Sequence, residues 1–180
     1  MKALIVIDVQ HGLFTPLPRP ASSLEVIRRI NELTQRARLH EAPVIFVQHE
    51  ANDGEYFRHG SEAWALDAGL LIGSADYFVR KTTPDSFLKT DLESVLVESG
   101  SSHLVVCGYA TEFCIDTTVR RAAALGYDVT VVSDAHTTHD KAHADAVQII
   151  AHHNATLPRI KSFGVNILAQ ESDAVEFVHV

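Results

Sequence analysis

Four short runs of apolar, mostly β-branched residues most limit how this chain can fold. They occupy residues 4–7, 44–47, 104–107 and 129–132. Runs of this kind are typical of strands that are buried on both faces of a sheet. Residues 77–79 and 159–161 are weaker candidates for two further strands.

Helix-like segments separate these runs. One helix is expected from Ser22 or Ser23 to Leu39, and others over residues 91–98, 117–125 and 140–153. Because strands and helices alternate, and crossovers between parallel strands are right-handed, the order predicts a three-layer, doubly wound α/β fold with helices on both faces. No repeat, low-complexity tract or linker interrupts residues 1–180, so a single domain is expected.

The charge balance and the first residues exclude several classes of partner. The 23 acidic and 15 basic side chains give a net charge of −8, which would repel nucleic acid. The apolar run before Asp8 is too short for a signal peptide or a membrane span, so no membrane partner and a cytoplasmic location are expected. The two cysteines are too few for a disulfide framework and are expected to be thiols.

Three reactive side chains follow predicted strands. Asp8 comes directly after the first run, Lys81 follows residues 77–79, and Cys114 follows the run that ends at Cys107. Ligands of doubly wound sheets bind at the carboxyl ends of strands, so we expect a site there. Cys107 lies inside its run and is expected in the core. Cys114 should lie in the first turn of a helix, where the helix N-terminus and a nearby ammonium would lower its pKa.

The eleven histidines include two clusters that resemble metal sites. The clusters are His139, His143, His152 and His153 along one expected helix, and His49 with Glu50 and Asp53 after the second strand. Neither has a spacing specific for metal ligands, and an exposed polar face is the commoner explanation for the first. We therefore expect no metal and no cofactor.

Three segments together resemble the isochorismatase-like cysteine hydrolases, whose relatives include nicotinamidases and N-carbamoylsarcosine amidases. The segments are residues 3–10 around Asp8, Lys81 followed by Ser86-Phe87, and residues 108–114 ending at Cys114. Residues 60–64 and 133–135 extend the similarity along nearly the whole chain. The resemblance implies a six-stranded, mostly parallel sheet between helical layers and a catalytic triad of Asp8, Lys81 and Cys114.

The resemblance also implies a mechanism. Cys114 would attack a carbonyl carbon, Asp8 would move the proton, and Lys81 would stabilise the anions. The family pattern assigns the oxyanion hole to the N–H groups of Ala110 and Cys114, and it implies a cis peptide bond between Tyr109 and Ala110.

Aromatic and histidine side chains either line an apolar substrate pocket or fill the core. The candidates for the pocket are Phe14, His49, Tyr56, Trp64, Phe87, Tyr109 and Phe113. Aromatic residues in a loop-rich stretch, such as Tyr56 and Trp64, favour the pocket.

Members of this family catalyse different reactions, and two sequence features indicate in part which reaction this chain would catalyse. Siderophore-pathway isochorismatases hydrolyse a vinyl ether and typically lack the cysteine, so Cys114 favours amide cleavage. Nicotinamidases carry a metal-binding Asp-x-His after the second strand, where this chain has Gln48-His49-Glu50. We expect a hydrolase that cleaves a C–N bond of a small amide or carbamoyl amide through a thioester.

Two alternatives stay open. The first is hydrolysis of a vinyl ether by Asp8, with Cys114 dispensable. The second is a non-catalytic protein that binds a small molecule or serves as a scaffold. A homo-oligomer, a dimer or higher, is the default expectation for a chain of this class.

Overall fold

The computed structural model describes residues 1–52, 54 and 56–177. A six-stranded sheet forms its centre, with the strand order β3-β2-β1-β4-β5-β6 and parallel pairing between neighbours. The strands are β1 (Lys2–Ile7), β2 (Val44–His49), β3 (Tyr77–Lys81), β4 (His103–Tyr109), β5 (Asp128–Thr137) and β6 (Ile167–Gln170). The six-stranded α/β sheet is therefore confirmed.

Helices cover both faces of the sheet. They are α1 (His11–Phe14), α2 (Ser23–Leu39), α3 (Leu92–Glu98), α4 (Asp116–Ala124) and α5 (Ala146–Thr156). Two 3₁₀ turns (Leu157–Arg159 and Ser172–Ala174) follow α5 and β6, and a π-helical turn (Thr111–Ile115) leads directly into α4. None of the helices within residues 1–52, 54 and 56–177 has the length and apolar character needed to cross a bilayer.

The alternation of side chains along β1 explains why its residues are apolar without interruption. Successive side chains of a strand point to opposite faces. Ile5 and Ile7 pack in one core with residues of α3 and α4, whereas Leu4 and Val6 pack in the other core with residues of α2. Both faces of the strand are thus shielded from water, as expected for a central parallel strand.

The prediction of a strand at residues 159–161 is wrong. Residues 157–159 form a 3₁₀ turn with a proline at its start, and the sixth strand is Ile167–Gln170. This strand lies at the sheet edge, where Ile167 is buried and Leu168 is 39% exposed. A half-exposed edge strand lacks the continuous apolar run that identifies the central strands in the sequence.

The helix expected over residues 140–153 begins later, at Ala146. Asp145 caps it, because its side chain accepts the backbone N–H of Gln148 and the Gln148 side chain accepts the N–H of Asp145. Such a reciprocal capping box fixes a helix start. Asp140 instead accepts the N–H of Ala146 from outside the helix.

Candidate active site

The site lies where the direction of the strand order reverses. β1 has β2 on one side and β4 on the other, and ligands of such sheets bind beyond the carboxyl ends of these strands. Asp8 directly follows β1, Lys81 ends β3, and Cys114 lies in the π-turn after β4. The structure therefore brings the three residues expected to be catalytic to one edge.

Lys81 joins the other two members of this group. Its Nζ lies 2.7 Å from Asp8 Oδ2 and 3.3 Å from Cys114 Sγ, and it donates to the Thr83 carbonyl at 3.2 Å. Lys81 is 1% exposed and Asp8 is 2% exposed. An ammonium has three donors, so these contacts satisfy the whole charged head and hold it away from water.

The backbone around Asp8 explains its placement. Asp8 has a φ of 53°, and its N–H donates to the Val47 carbonyl at 2.8 Å. Beside it, Gly108 has a φ of 115°, and a Cβ there would lie 2.1 Å from the Ile7 carbonyl oxygen. Only glycine fits so close an approach of two main chains. The end of β1 and the segment before the π-turn are therefore in direct backbone contact.

The π-turn holds Cys114 immediately before α4. Its first carbonyl, that of Ala110, accepts the N–H groups of Phe113 and Ile115 at 3.0 and 3.1 Å. The Tyr109–Ala110 peptide bond is cis, as the sequence resemblance implies. Single π-turns are rare in proteins, and those that occur are often found at functional sites. Cys114 was expected in the first helical turn, and it lies in this wider turn instead.

The electrostatics of Cys114 differ from the expectation. Burial, followed by the negative charge of Asp8, raises the pKa of Cys114 to about 12, and Lys81 only partly opposes this. The pKa of Lys81 is itself lowered by burial, but Asp8 and Cys114 outweigh that effect and the net direction is upward. The raised pKa favours a protonated thiol on Cys114 beside the charged Lys81.

A buried glutamine that the sequence analysis missed fixes the neighbouring loop. The Gln10 side-chain amide nitrogen donates to the carbonyls of His49 (2.9 Å) and Trp64 (2.7 Å), and its oxygen accepts the His49 N–H (2.9 Å). Gln48 also donates to the Trp64 carbonyl, at 3.0 Å. The only signal in the sequence was a polar side chain two positions after Asp8. Its partners are remote in sequence, and that concealed its role.

Comparison with known proteins identifies the family. A family model described as the isochorismatase domain matches residues 2–161. The chain belongs to the isochorismatase family. The sequence resemblance is thereby confirmed.

Solved isochorismatase-family structures superpose on nearly the whole chain. A crystal structure of an isochorismatase family protein superposes with a TM-score of 0.85 and 35% identity, covering 94% of this chain and 98% of that one. An isochorismatase from Pseudomonas putida KT2440 superposes with a TM-score of 0.87 and 28% identity, covering 97% and 89%.

A streptothricin hydrolase from Streptomyces noursei is 33% identical over 140 residues, which are 78% of this chain and 51% of that protein. The isochorismatase-family chain thus spans about half the length of this relative.

The aromatic residues expected to line a pocket divide between core and surface. Tyr109 packs edge-to-face on the buried Phe14 at 5.8 Å, and its hydroxyl shares a 2.8 Å hydrogen bond with His139 Nδ1. Phe113 and Tyr56 are 53% and 59% exposed. Tyr56 borders a cavity of about 480 Å³ with His11 and Glu62.

Phe87 does not join this group. It is buried in the core that contains α3 and α4, and its ring stacks on Tyr127 with centroids 5.9 Å apart. The preceding residue, Ser86, is bonded to Thr118 of α4 through both its N–H and its hydroxyl, which fixes the chain against that helix. The assignment of Phe87 to the pocket is therefore replaced by a core position.

Three side chains near the site carry buried polar atoms with no hydrogen-bond partner among the described residues. The atoms are Asp8 Oδ1, His49 Nδ1 and Trp64 Nε1. His49 lies opposite Lys81 in the β2–β3 register, and burial together with the Lys81 charge lowers the pKa of its imidazole. Buried polar groups are rarely left unpaired, so these atoms have room to pair with water or with a bound molecule.

The histidine clusters do not assemble into a metal site in the part of the chain that the structure describes. No group of three or more His, Cys, Asp and Glu side chains there is placed to hold one ion. His139 Nε2 bonds the Pro18 carbonyl at 3.0 Å, and His153 Nδ1 bonds the Ile149 carbonyl at 2.8 Å. Asp53 of the second cluster lies outside the described residues.

Proposed function

We propose that this isochorismatase-family protein is a cysteine hydrolase that cleaves a C–N bond of a small amide or carbamoyl amide. One observation carries the proposal: the buried Lys81 Nζ contacts both Asp8 Oδ2 (2.7 Å) and Cys114 Sγ (3.3 Å). A thiol, a carboxylate and an ammonium within hydrogen-bonding reach supply a nucleophile, a base and an anion-stabilising charge.

In the first step, Asp8 takes the thiol proton while Cys114 Sγ bonds to the carbonyl carbon. The carbonyl π electrons move to oxygen, and the N–H groups of Ala110 and Cys114 are the proposed donors to that oxyanion. The raised pKa of Cys114 supports a base-assisted attack rather than a free thiolate. Lys81 stays charged and balances the negative charge shared by Asp8 and the sulfur.

In the second step, the oxyanion collapses and the C–N bond breaks. Asp8 returns the proton to the departing nitrogen, which leaves a thioester on Cys114. Water then attacks the thioester and gives one proton to Asp8. The C–S bond breaks, the acid is released, and the sulfur recovers a proton from Asp8. Asp8 thus serves alternately as base and acid, and no external co-reactant other than water is used.

The substrate pocket is proposed around His49 and Trp64. Each has a ring nitrogen with no hydrogen-bond partner among the described residues. Gln10 bonds the main-chain carbonyls of both residues and so fixes the backbone that carries the two rings. A substrate that offers a hydrogen-bond acceptor to Trp64 Nε1 would recover about 1–3 kcal/mol that an unpaired buried donor otherwise costs. Tyr56, Tyr109 and Phe113 are the proposed apolar side chains of the pocket. Phe14 was also expected there, but it is 2% exposed and packs in the core that contains α2.

The decisive experiment is a substrate panel assayed with purified protein and with Cys114→Ala. The panel contains small primary amides, ureido acids, isochorismate and streptothricin, the last because a relative is a streptothricin hydrolase. We expect an amide or ureido compound to be hydrolysed by the wild type alone, with an acyl adduct on Cys114 in intact-mass spectra. Equal hydrolysis of isochorismate by both proteins would instead establish ether cleavage that does not need Cys114. No turnover and no adduct with any compound would favour a binding protein.

The proposed reaction needs no metal. Its proton carrier and its fixed positive charge are Asp8 and Lys81, which are already paired at 2.7 Å. We expect activity to survive dialysis against EDTA, with metal content measured on the same sample. Loss of activity that returns on addition of zinc, iron or manganese would contradict this prediction.

We also propose that the protein forms a homo-oligomer. Exposed apolar side chains beside the edge strand β3 support this, since exposed strand edges favour association. They are Leu71, Ile72, Tyr77 and Phe78. Light scattering coupled to size-exclusion chromatography measures the mass directly, and a monomer at all concentrations would refute the proposal.

A further inference from the structure

A chain of hydrogen bonds lies behind the π-turn, and the proposed mechanism makes no use of it. Thr111 Oγ1, in the first residue of the turn, lies 2.8 Å from His136 Nδ1. The other ring nitrogen, His136 Nε2, lies 2.8 Å from Asn154 Oδ1, and Asn154 Nδ2 donates to the Ser133 carbonyl at 2.8 Å. The chain of bonds links the π-turn to β5 and α5.

The carbonyl at the far end of this chain of bonds determines the direction of every hydrogen bond in it. The Ser133 carbonyl can only accept, so the Asn154 nitrogen faces it and the Asn154 oxygen faces His136. That oxygen is also an acceptor, so His136 Nε2 carries the proton. Burial lowers the pKa of His136 to about 4, so the ring is neutral near pH 7 and Nδ1 is an acceptor. The Thr111 hydroxyl therefore donates to His136.

We propose that His136 is a positioning residue for Cys114: it holds the start of the π-turn against β5 and so sets where the thiol lies relative to Lys81. This inference rests on the proposed function, in which Cys114 is the nucleophile. The next turn residue is held in a similar way, because Thr138 Oγ1 donates to Glu112 Oε1 at 2.9 Å. Two consecutive residues of the turn are thus held by His136, near the end of β5, and by Thr138, the first residue after β5.

The geometry of Cys114 makes such anchoring effective. Cys114 is three residues beyond Thr111 in the same single turn, and its Sγ lies 3.3 Å from Lys81 Nζ. A displacement of about 1 Å at a reacting group costs on the order of 10²-fold in rate. Loosening the Thr111 end is therefore expected to affect chemistry more than substrate binding.

The molecule contains a matched pair for the test. Thr130 Oγ1 shares a 2.8 Å hydrogen bond with His103 Nε2, also between β5 and its surroundings but at the amino-terminal end of the sheet. Thr130 is as buried as Thr111. Thr130→Val thus removes the same kind of bond as Thr111→Val, far from Cys114.

The experiment compares Thr111→Val, Thr111→Ser and Thr130→Val by kcat, KM, Tm and the rate of alkylation of Cys114 by iodoacetamide. Both valine variants should lower Tm by about 2–4 °C, the effect of one lost buried hydrogen bond in a chain of this size. Only Thr111→Val should lower kcat, by about 10- to 100-fold, with KM nearly unchanged. It should also change the alkylation rate, and Thr111→Ser should restore both values.

A second variant covers the case in which Thr111→Val does not fold. Asn154→Ala breaks the same chain of bonds from its half-buried outer end and leaves the turn itself unaltered. We expect a smaller fall in kcat, again with KM unchanged.

Two results would overturn the proposal even if Cys114→Ala proves inactive. One is equal kcat in Thr111→Val and Thr130→Val. The other is a rise in KM at unchanged kcat, which would indicate lost substrate binding. If Cys114→Ala stays active, the proposed function fails. The alkylation rates then still decide whether His136 positions the thiol, because they require no turnover.

Discussion

Cys107 and Cys114 lie seven positions apart, and they differ in exposure and in the charged groups around the thiol. Cys107 is fully buried between apolar strands, donates only a 3.6 Å contact to the Ile5 carbonyl, and has its pKa raised well above the usual range by burial alone. Cys114 is partly exposed and lies 3.3 Å from the Lys81 ammonium. Both thiols are protonated at rest, but only Cys114 has a base and a cation within reach. The comparison shows that charged neighbours, more than a low resting pKa, distinguish a candidate nucleophile from a core residue.

The largest expected effect separates the two residues by activity. Cys114→Ala should lower kcat by about 10³-fold or more, because it removes the atom that forms the thioester. Cys107→Ala should leave kcat unchanged. Steady-state assays of both variants on the best substrate test this, and an inactive Cys107→Ala beside an active Cys114→Ala would reverse the assignment.

A second test examines the charges around Cys114. Asp8→Asn should lower kcat by about 10²–10⁴-fold, the usual contribution of a general base. The same substitution should speed alkylation of Cys114 near pH 8.5, because Asp8 raises the pKa of the thiol and its removal increases the thiolate fraction.

Lys81→Met should slow alkylation under the same conditions, since the ammonium lowers the thiol pKa. Iodoacetamide kinetics in a Cys107→Ala background report Cys114 alone, and circular dichroism verifies the fold of each variant. Alkylation that slows in Asp8→Asn would contradict the assigned electrostatics.

The smallest expected effect concerns stability. Cys107→Ser should lower the free energy of unfolding by about 1–3 kcal/mol, because a buried hydroxyl requires a closer acceptor than the Ile5 carbonyl provides. Cys114→Ser should cost less, since Lys81 and solvent are available to its hydroxyl. Urea unfolding of the two serine variants measures the difference. An equal loss in both would show that the two environments are less distinct than their contacts indicate.

Much of the fold could be predicted because the central strands are buried on both faces and therefore appear as apolar runs. Ile167–Gln170 could not be found in this way, because one of its faces is partly exposed. The start of α5 was readable from Asp145 and Gln148, which have the spacing of a capping box.

Less of the site could be predicted. Asp8, Lys81 and Cys114 were placed correctly at one edge, since each follows a strand. The direction of the Cys114 pKa was wrong, because burial and the charge of Asp8 arise only from tertiary structure. Gln10 and His136 were missed for a related reason: their partners lie 18 to 54 positions away, so no local pattern marks them.

The contact between Gly108 and Ile7 bears on which parts of the sheet supply the reactive groups. Asp8 and Lys81 follow strands on one side of the β1–β4 boundary, whereas Cys114 follows β4 on the other. The Asp8–Lys81 ion pair and the nucleophile therefore come from different halves of the sheet, and the two halves are in close main-chain contact at Gly108. A methyl group at that glycine would act as a wedge between the halves, widening the distance from Lys81 to the sulfur while sparing the distance from Lys81 to Asp8.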